Sequence, residues 1–268
     1  MQYEIKELGI GEILDQSINL LKEHFWMLFK ITLYLSIPFN VVYSLIVGLV
    51  FPQLFAQTPT KGPVSFNAII IGLILNLVFI VILMGIINPI TNAAILTAIS
   101  RKYLGRSITA GEALGQAFRK LKWLILTNLY ATLLIILGLI LFVIPGIILM
   151  FRYWFTTHAV MIEDTYGGKA LKRSSTLIKG NVNKAVVLGF LVMILNIIIN
   201  SIVGRIPVPV VSIVVTTVVQ HVTLIFGIVA SVIFYFSCRC ANENFDLALL
   251  ADAMENTPED STPQENDE

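Results

Sequence analysis

The sequence predicts an all-α integral membrane protein whose six transmembrane helices form three hairpins, each preceded by a cytoplasmic amphipathic helix. Three observations predict it. No Asp, Glu, Lys or Arg interrupts the thirty-nine residues from Gly62 through Ser100, and about 20 apolar residues are enough for a helix to cross a hydrocarbon core about 30 Å thick. Of the 268 residues, 56% are hydrophobic and only 13% charged, too little polar surface to cover a water-soluble globule of this size. A short motif also recurs ahead of each pair of apolar runs.

Taken in order, apolar runs between charges and breakers predict spans near 25–52, 68–99, 122–143, 147–162, 182–204 and 210–237. Glu4, Glu7, Glu12 and Asp15 stand ahead of the first span where a signal peptide would carry bases, so the N-terminal segment is expected to persist. The second span contains Asn88-Pro89, and a proline there removes a backbone donor and predicts a kink. Between the third and fourth spans lies Ile144-Pro145-Gly146, read as a tight hairpin turn in which proline stops one helix and glycine turns the chain. The fourth span is short and carries Arg152. Residues 1–250 thus form one polytopic domain, and 251–268 an acidic, disordered tail with no base in it.

The motif is Gly11-Glu12-Ile13-Leu14-Asp15-Gln16-Ser17, then Gly111-Glu112-Ala113-Leu114-Gly115-Gln116-Ala117, then Gly168-Lys169-Ala170-Leu171-Lys172-Arg173-Ser174. Each copy continues an apolar stripe at helical spacing, and Thr109 with Glu112 makes a capping box for the second. The implied unit is a surface helix followed by a hairpin, used over about 10–99, 109–162 and 168–237. Pro38, Pro145 and Pro207 lie in or near the end of the first helix of each hairpin.

Fifteen of the eighteen Lys and Arg residues precede or open span one, lie between spans two and three or four and five or at the adjoining span edges, or follow span six. Lys61 and Arg205 fall on the other side. Short loops rich in base stay in the cytoplasm, so both termini are expected there.

Ile144-Pro145-Gly146-Ile147-Ile148, Glu163, Ala170-Leu171-Lys172-Arg173-Ser174 with Leu177 and Lys179-Gly180, and Tyr235, Arg239, Glu243, Phe245-Asp246-Leu247 and Leu249-Leu250 carry a family likeness. In these motifs the chain resembles the membrane domain associated with glycerophosphoryl diester phosphodiesterases and its stand-alone bacterial relatives. The resemblance implies a six-span protein of the bacterial cytoplasmic (inner) membrane. It does not imply phosphodiesterase activity, which belongs to a separate soluble domain in fused members.

Little in the sequence suggests catalysis. His24, His158 and His221 lack metal-ligand spacing, His158 with Glu163-Asp164 makes only a weak metal candidate, and no phosphate loop, nucleophile elbow or nucleic-acid motif is present. No cofactor is expected. Polar residues at membrane depth are the more informative candidates: Arg152, Asn88, Asn92, Asn128, His158, Asn196 and Asn200, which either join helices by hydrogen bonds or line a solute path. For Arg152 the two readings are snorkelling to the outer face near Pro145 and lining or pairing inside. Arg119, Lys120, Lys122, Lys169, Lys172, Arg173 and Lys179 are candidate contacts for anionic lipid. The expected function is a non-catalytic scaffold or accessory protein in envelope or lipid homeostasis, the alternative a transporter or lipid-handling permease. Membrane lipids are the expected partner, nucleic acid is not, and a protein partner or second copy stays open.

Overall fold

A computed structural model describes residues 5–47, 66–203, 205 and 208–249; Lys61, Pro207 and the acidic tail lie outside them. Helices account for nearly all of the described residues, and no strand occurs among them. They are α1 (Ile10–Leu45), α2 (Phe66–Ile82), α3 (Asn88–Tyr103), α4 (Ala110–Arg119), α5 (Leu121–Leu141), α6 (Val143–Arg152), α7 (Thr156–Ile162), α8 (Gly168–Leu177), α9 (Val182–Val203) and α10 (Pro209–Glu243).

Six helical segments are long and apolar enough to cross a bilayer, with α2–α3 and α6–α7 each acting as one interrupted span. The two most apolar windows, in 70–103 and 182–203, bury only 11% of their residues inside the protein. So much exposed Ile, Leu and Val suits contact with hydrocarbon and not with water. The core lies where α1 packs along α10 and both meet α3. Leu20, Leu28, Ile95, Phe155, Ile233 and Tyr235 are fully buried there.

Several expected boundaries move. The first copy of the motif is not a separate surface helix, because α1 runs unbroken from Ile10 to Leu45, well into the first span. No glycine or proline between Gly11 and Pro38 interrupts it, so the amphipathic stretch and the apolar stretch share one axis. In the second copy the capping box forms, with Thr109 N donating to Glu112 Oε2 at 2.8 Å and Glu112 N donating to Thr109 Oγ1 at 3.3 Å. Its buried face is made by Ala113 and Ala117, whereas Phe118 is 51% exposed. Small side chains are what allow α4 to lie close against α3. Ahead of Asn88-Pro89 the chain widens into a π-helical turn, Leu83–Ile87, and Pro89 then sits in the first turn of α3.

The hairpin turn is also not at Ile144-Pro145-Gly146. Phe142 alone is extended (φ −156°, ψ 132°), and the other three residues form the first turn of α6. Proline suits that turn because its fixed φ is helical. Gly146 serves close approach: a Cβ there would come within 2.6 Å of the Leu139 backbone nitrogen. Gly146→Ala is therefore expected to force α5 and α6 apart and to destabilise by about 1–3 kcal/mol. At Gly111, on the exposed side of α4, a Cβ meets nothing within 4 Å, and Gly111→Ala should stabilise by about 0.5–1 kcal/mol. Thermal unfolding of the two variants in one detergent checks the opposite signs.

Candidate functional site

Residues far apart in sequence meet at the ends of α7, α8 and α10. Arg173 of α8 donates to both oxygens of Glu163, Nε to Oε2 at 2.5 Å and Nη2 to Oε1 at 2.8 Å. Its Nη2 also donates to Glu243 Oε2 at 2.9 Å, and its Nη1 to Glu243 Oε1. Tyr235 donates its hydroxyl proton to Glu163. Arg239 adds Nε to Glu243 Oε2 at 3.2 Å and stands over the Phe245 ring at 3.9 Å. Two carboxylates and two guanidiniums cancel, which makes this a neutral latch.

Burial alone would raise the Glu163 carboxyl, but hydrogen bonds from Arg173 and Tyr235 and the two guanidinium charges outweigh it and hold it below the ordinary carboxylate range. Beside the latch, Lys120 pairs with Asp164 at 2.5 Å and donates to the carbonyls of Val160 and Met161 at the end of α7. The hydrogen bond from Lys120 is the main reason the Asp164 carboxyl lies low.

Span four breaks at Tyr153–Phe155, and Ser174 of α8 splints the break. Its Oγ accepts from Phe155 N at 2.9 Å and donates to Arg152 O at 2.8 Å, so one buried hydroxyl serves both freed backbone groups. Arg152 Nε reaches Ser175 Oγ at 2.9 Å, against α8 and not toward Pro145. With Tyr130, Lys172, Ser175, Thr176 and Lys179 it lines a recess of about 550 Å³ that holds three cationic side chains and no carboxylate.

A second cavity, also about 550 Å³, opens between α3, α7, α9 and α10. Leu96, Leu188, Val192, Leu224 and Ile228 give it apolar walls, and Asn92, Thr157, His158, Asn196, Gln220 and Ser231 add polar groups. His158 is 4% exposed and stacks on Tyr235 at 5.2 Å, with Phe155 edge-on at 5.3 Å. Its Nε2 lies 3.2 Å from Ser231 Oγ, while His158 Nδ1 and Asn92 Oδ1 are buried without a partner.

The candidates from sequence thus divide. Asn92, His158 and Asn196 come together at this cavity. Asn200 instead accepts from Gln220 Nε2 at 3.0 Å and joins α9 to α10, and Asn128 accepts from Thr157 Oγ1 at 3.3 Å and joins α5 to α7. Asn88 donates to Met84 Sδ in the π-helical turn just ahead of it. Of the basic set, Lys172 and Lys179 line the recess, Lys122 lies over the Trp123 ring, Lys169 is exposed, and Arg119 lines a groove with Arg101 and Arg106. Lys120 and Arg173 are committed to internal ion pairs. Among the described residues no three His, Cys, Asp or Glu side chains group as metal ligands. Sequence reasoning missed Gln220, Ser231 and Thr157, whose polarity is ordinary until four helices bring them to one wall.

The family described as a domain of unknown function, DUF8558, matches residues 116–268, more than half of the chain. The chain belongs to the DUF8558 family. Within the part shared with DUF8558 lie the whole latch, the cationic recess and every lining residue of the second cavity except Asn92 and Leu96. No curated protein and no solved structure matches the chain.

Proposed function

We propose that the protein is a lipid-handling protein of the bacterial cytoplasmic membrane that admits an amphipathic guest from the bilayer into the cavity between α3, α7, α9 and α10. What supports this reading is the pair of unpartnered buried atoms, Asn92 Oδ1 and His158 Nδ1, on residues that line a cavity with apolar walls and a few other polar groups. Unserved polar groups at membrane depth are costly, and a guest with an apolar body and a polar end would serve them. The volume falls in the range of small-molecule sites. In this reading both termini are cytoplasmic, the second and third hairpins follow surface helices α4 and α8, and the likeness to the phosphodiesterase-associated membrane domain extends to lipid metabolism.

A second reading, the non-catalytic scaffold or accessory factor in envelope homeostasis, is favoured by the recess of Arg152, Lys172 and Lys179, which suits an anionic headgroup. The two readings part at the cavity. A Cβ at Gly227 has only Val192 Cγ1 near it, at 3.5 Å, so Gly227→Leu is expected to fill the space and keep the fold. Native mass spectrometry should then find co-purified lipid on the parent protein and several-fold less on the variant. Equal lipid on both would favour the scaffold.

A further inference from the structure

The proton inventory of the cavity goes further and selects the chemistry of the guest; this rests on the lipid-handling reading above. Ser231 Oγ has one proton, and a 2.8 Å hydrogen bond to Ile228 O uses it. Ser231 can therefore only accept from His158 Nε2, 3.2 Å away, which places the proton of the neutral ring on Nε2 and a bare lone pair on Nδ1. Asn92 Oδ1 is an acceptor as well. Both unpartnered atoms thus ask for donors, and neither offers one.

The charge of the guest follows from the same wall. No Asp or Glu lines the cavity, so an ammonium head would be buried unpaired, and the lone pairs of Nδ1 and Oδ1 would repel a phosphate or carboxylate. An uncharged head carrying O–H donors meets both demands. We infer that the cavity between α3, α7, α9 and α10 binds a neutral, hydroxyl-bearing amphiphile through His158 Nδ1 and Asn92 Oδ1. Anionic lipid belongs at the separate recess of Arg152, Lys172 and Lys179.

A long-chain vicinal diol and its dimethyl ether test the donors, since the two probes share chain and oxygens and the ether carries a methyl group in place of each hydroxyl proton. Their affinities for the full-length protein, measured by native mass spectrometry and by thermal stabilisation, are expected to differ by about tenfold or more in favour of the diol. In His158→Phe, which keeps an aromatic ring against Tyr235, and in Asn92→Leu the preference should shrink toward parity. The comparison on the parent protein needs no variant, so misfolding of either substitution leaves the test intact. Gly227→Leu should weaken both probes alike. Equal binding of diol and ether, both lost in Gly227→Leu, would keep the cavity as a lipid site and overturn the donor rule, with water then serving the two acceptors. Binding of neither probe, or binding indifferent to Gly227→Leu, would overturn the lipid-handling reading and this inference with it.

Discussion

Arg173→Gln is expected to cost about 3 kcal/mol of stability, the lower end of what breaking a buried ion pair costs, because the latch side chains keep 17–29% of their surface exposed. The substitution leaves Glu163 and Glu243 with Arg239 alone to balance them. Glu163→Gln should cost less, since its amide oxygen still accepts from Arg173 and Tyr235 and Glu243 remains as partner to both guanidiniums, one of whose charges is then in excess. The pair also predicts a pH dependence. The Glu163 carboxyl lies below its unfolded value, so its contribution is fully present above the ordinary carboxylate range and is lost as pH falls through the folded value. Asp164, held low by Lys120, adds loss of the same sign. Unfolding temperature followed by tryptophan fluorescence from neutral to acid pH should therefore fall for the parent protein and fall less steeply for Glu163→Gln. A Glu163→Gln profile parallel to the parent would place the acid sensitivity elsewhere.

Ser174→Ala should destabilise by about 2–4 kcal/mol, because it strands one donor and one acceptor together, each worth about 1–3 kcal/mol when left unsatisfied in a buried place. The groups are Phe155 N and Arg152 O, at a break in a span where water is scarce. Ser175→Ala is the matched control. Its hydroxyl accepts only from the exposed Arg152 guanidinium, and its loss should cost less than about 1 kcal/mol. Limited proteolysis and thermal unfolding of the two variants side by side would show the difference. Equal behaviour would mean that the break is satisfied by something other than Ser174.

The spans were legible in sequence because lipid imposes a blunt requirement, twenty or so apolar residues, that composition alone displays. The Thr109–Glu112 cap was legible too, since both of its partners lie within one turn. What stayed hidden depends on neighbours. Ile144-Pro145-Gly146 carries the residues of a turn, yet the same proline suits a first helical turn and the same glycine suits a tight crossing with Leu139, and only packing decides between them. Arg173 reads as one base among several until α10 brings Glu243 to it across 70 residues of sequence. The cavity draws on Asn92, His158, Asn196 and Gln220 from four helices, and no local pattern records that they share a wall.

The pairing of α1 with α10, the most extensive contact between helices in the fold, sets the order in which the molecule can be completed. Leu8 N donates to Ser237 Oγ across 229 residues, and Lys184 joins Glu7 at 2.9 Å. At ribosomal speeds of roughly 5–20 residues per second, about 10–45 s separate the emergence of the two partners. For that interval the face of α1 that packs on α10 stays uncovered, and another nascent segment or an insertion chaperone is free to occupy it. Truncation before α10 would leave the molecule unclosed, so maturation of this protein is timed by the emergence of Pro209–Glu243.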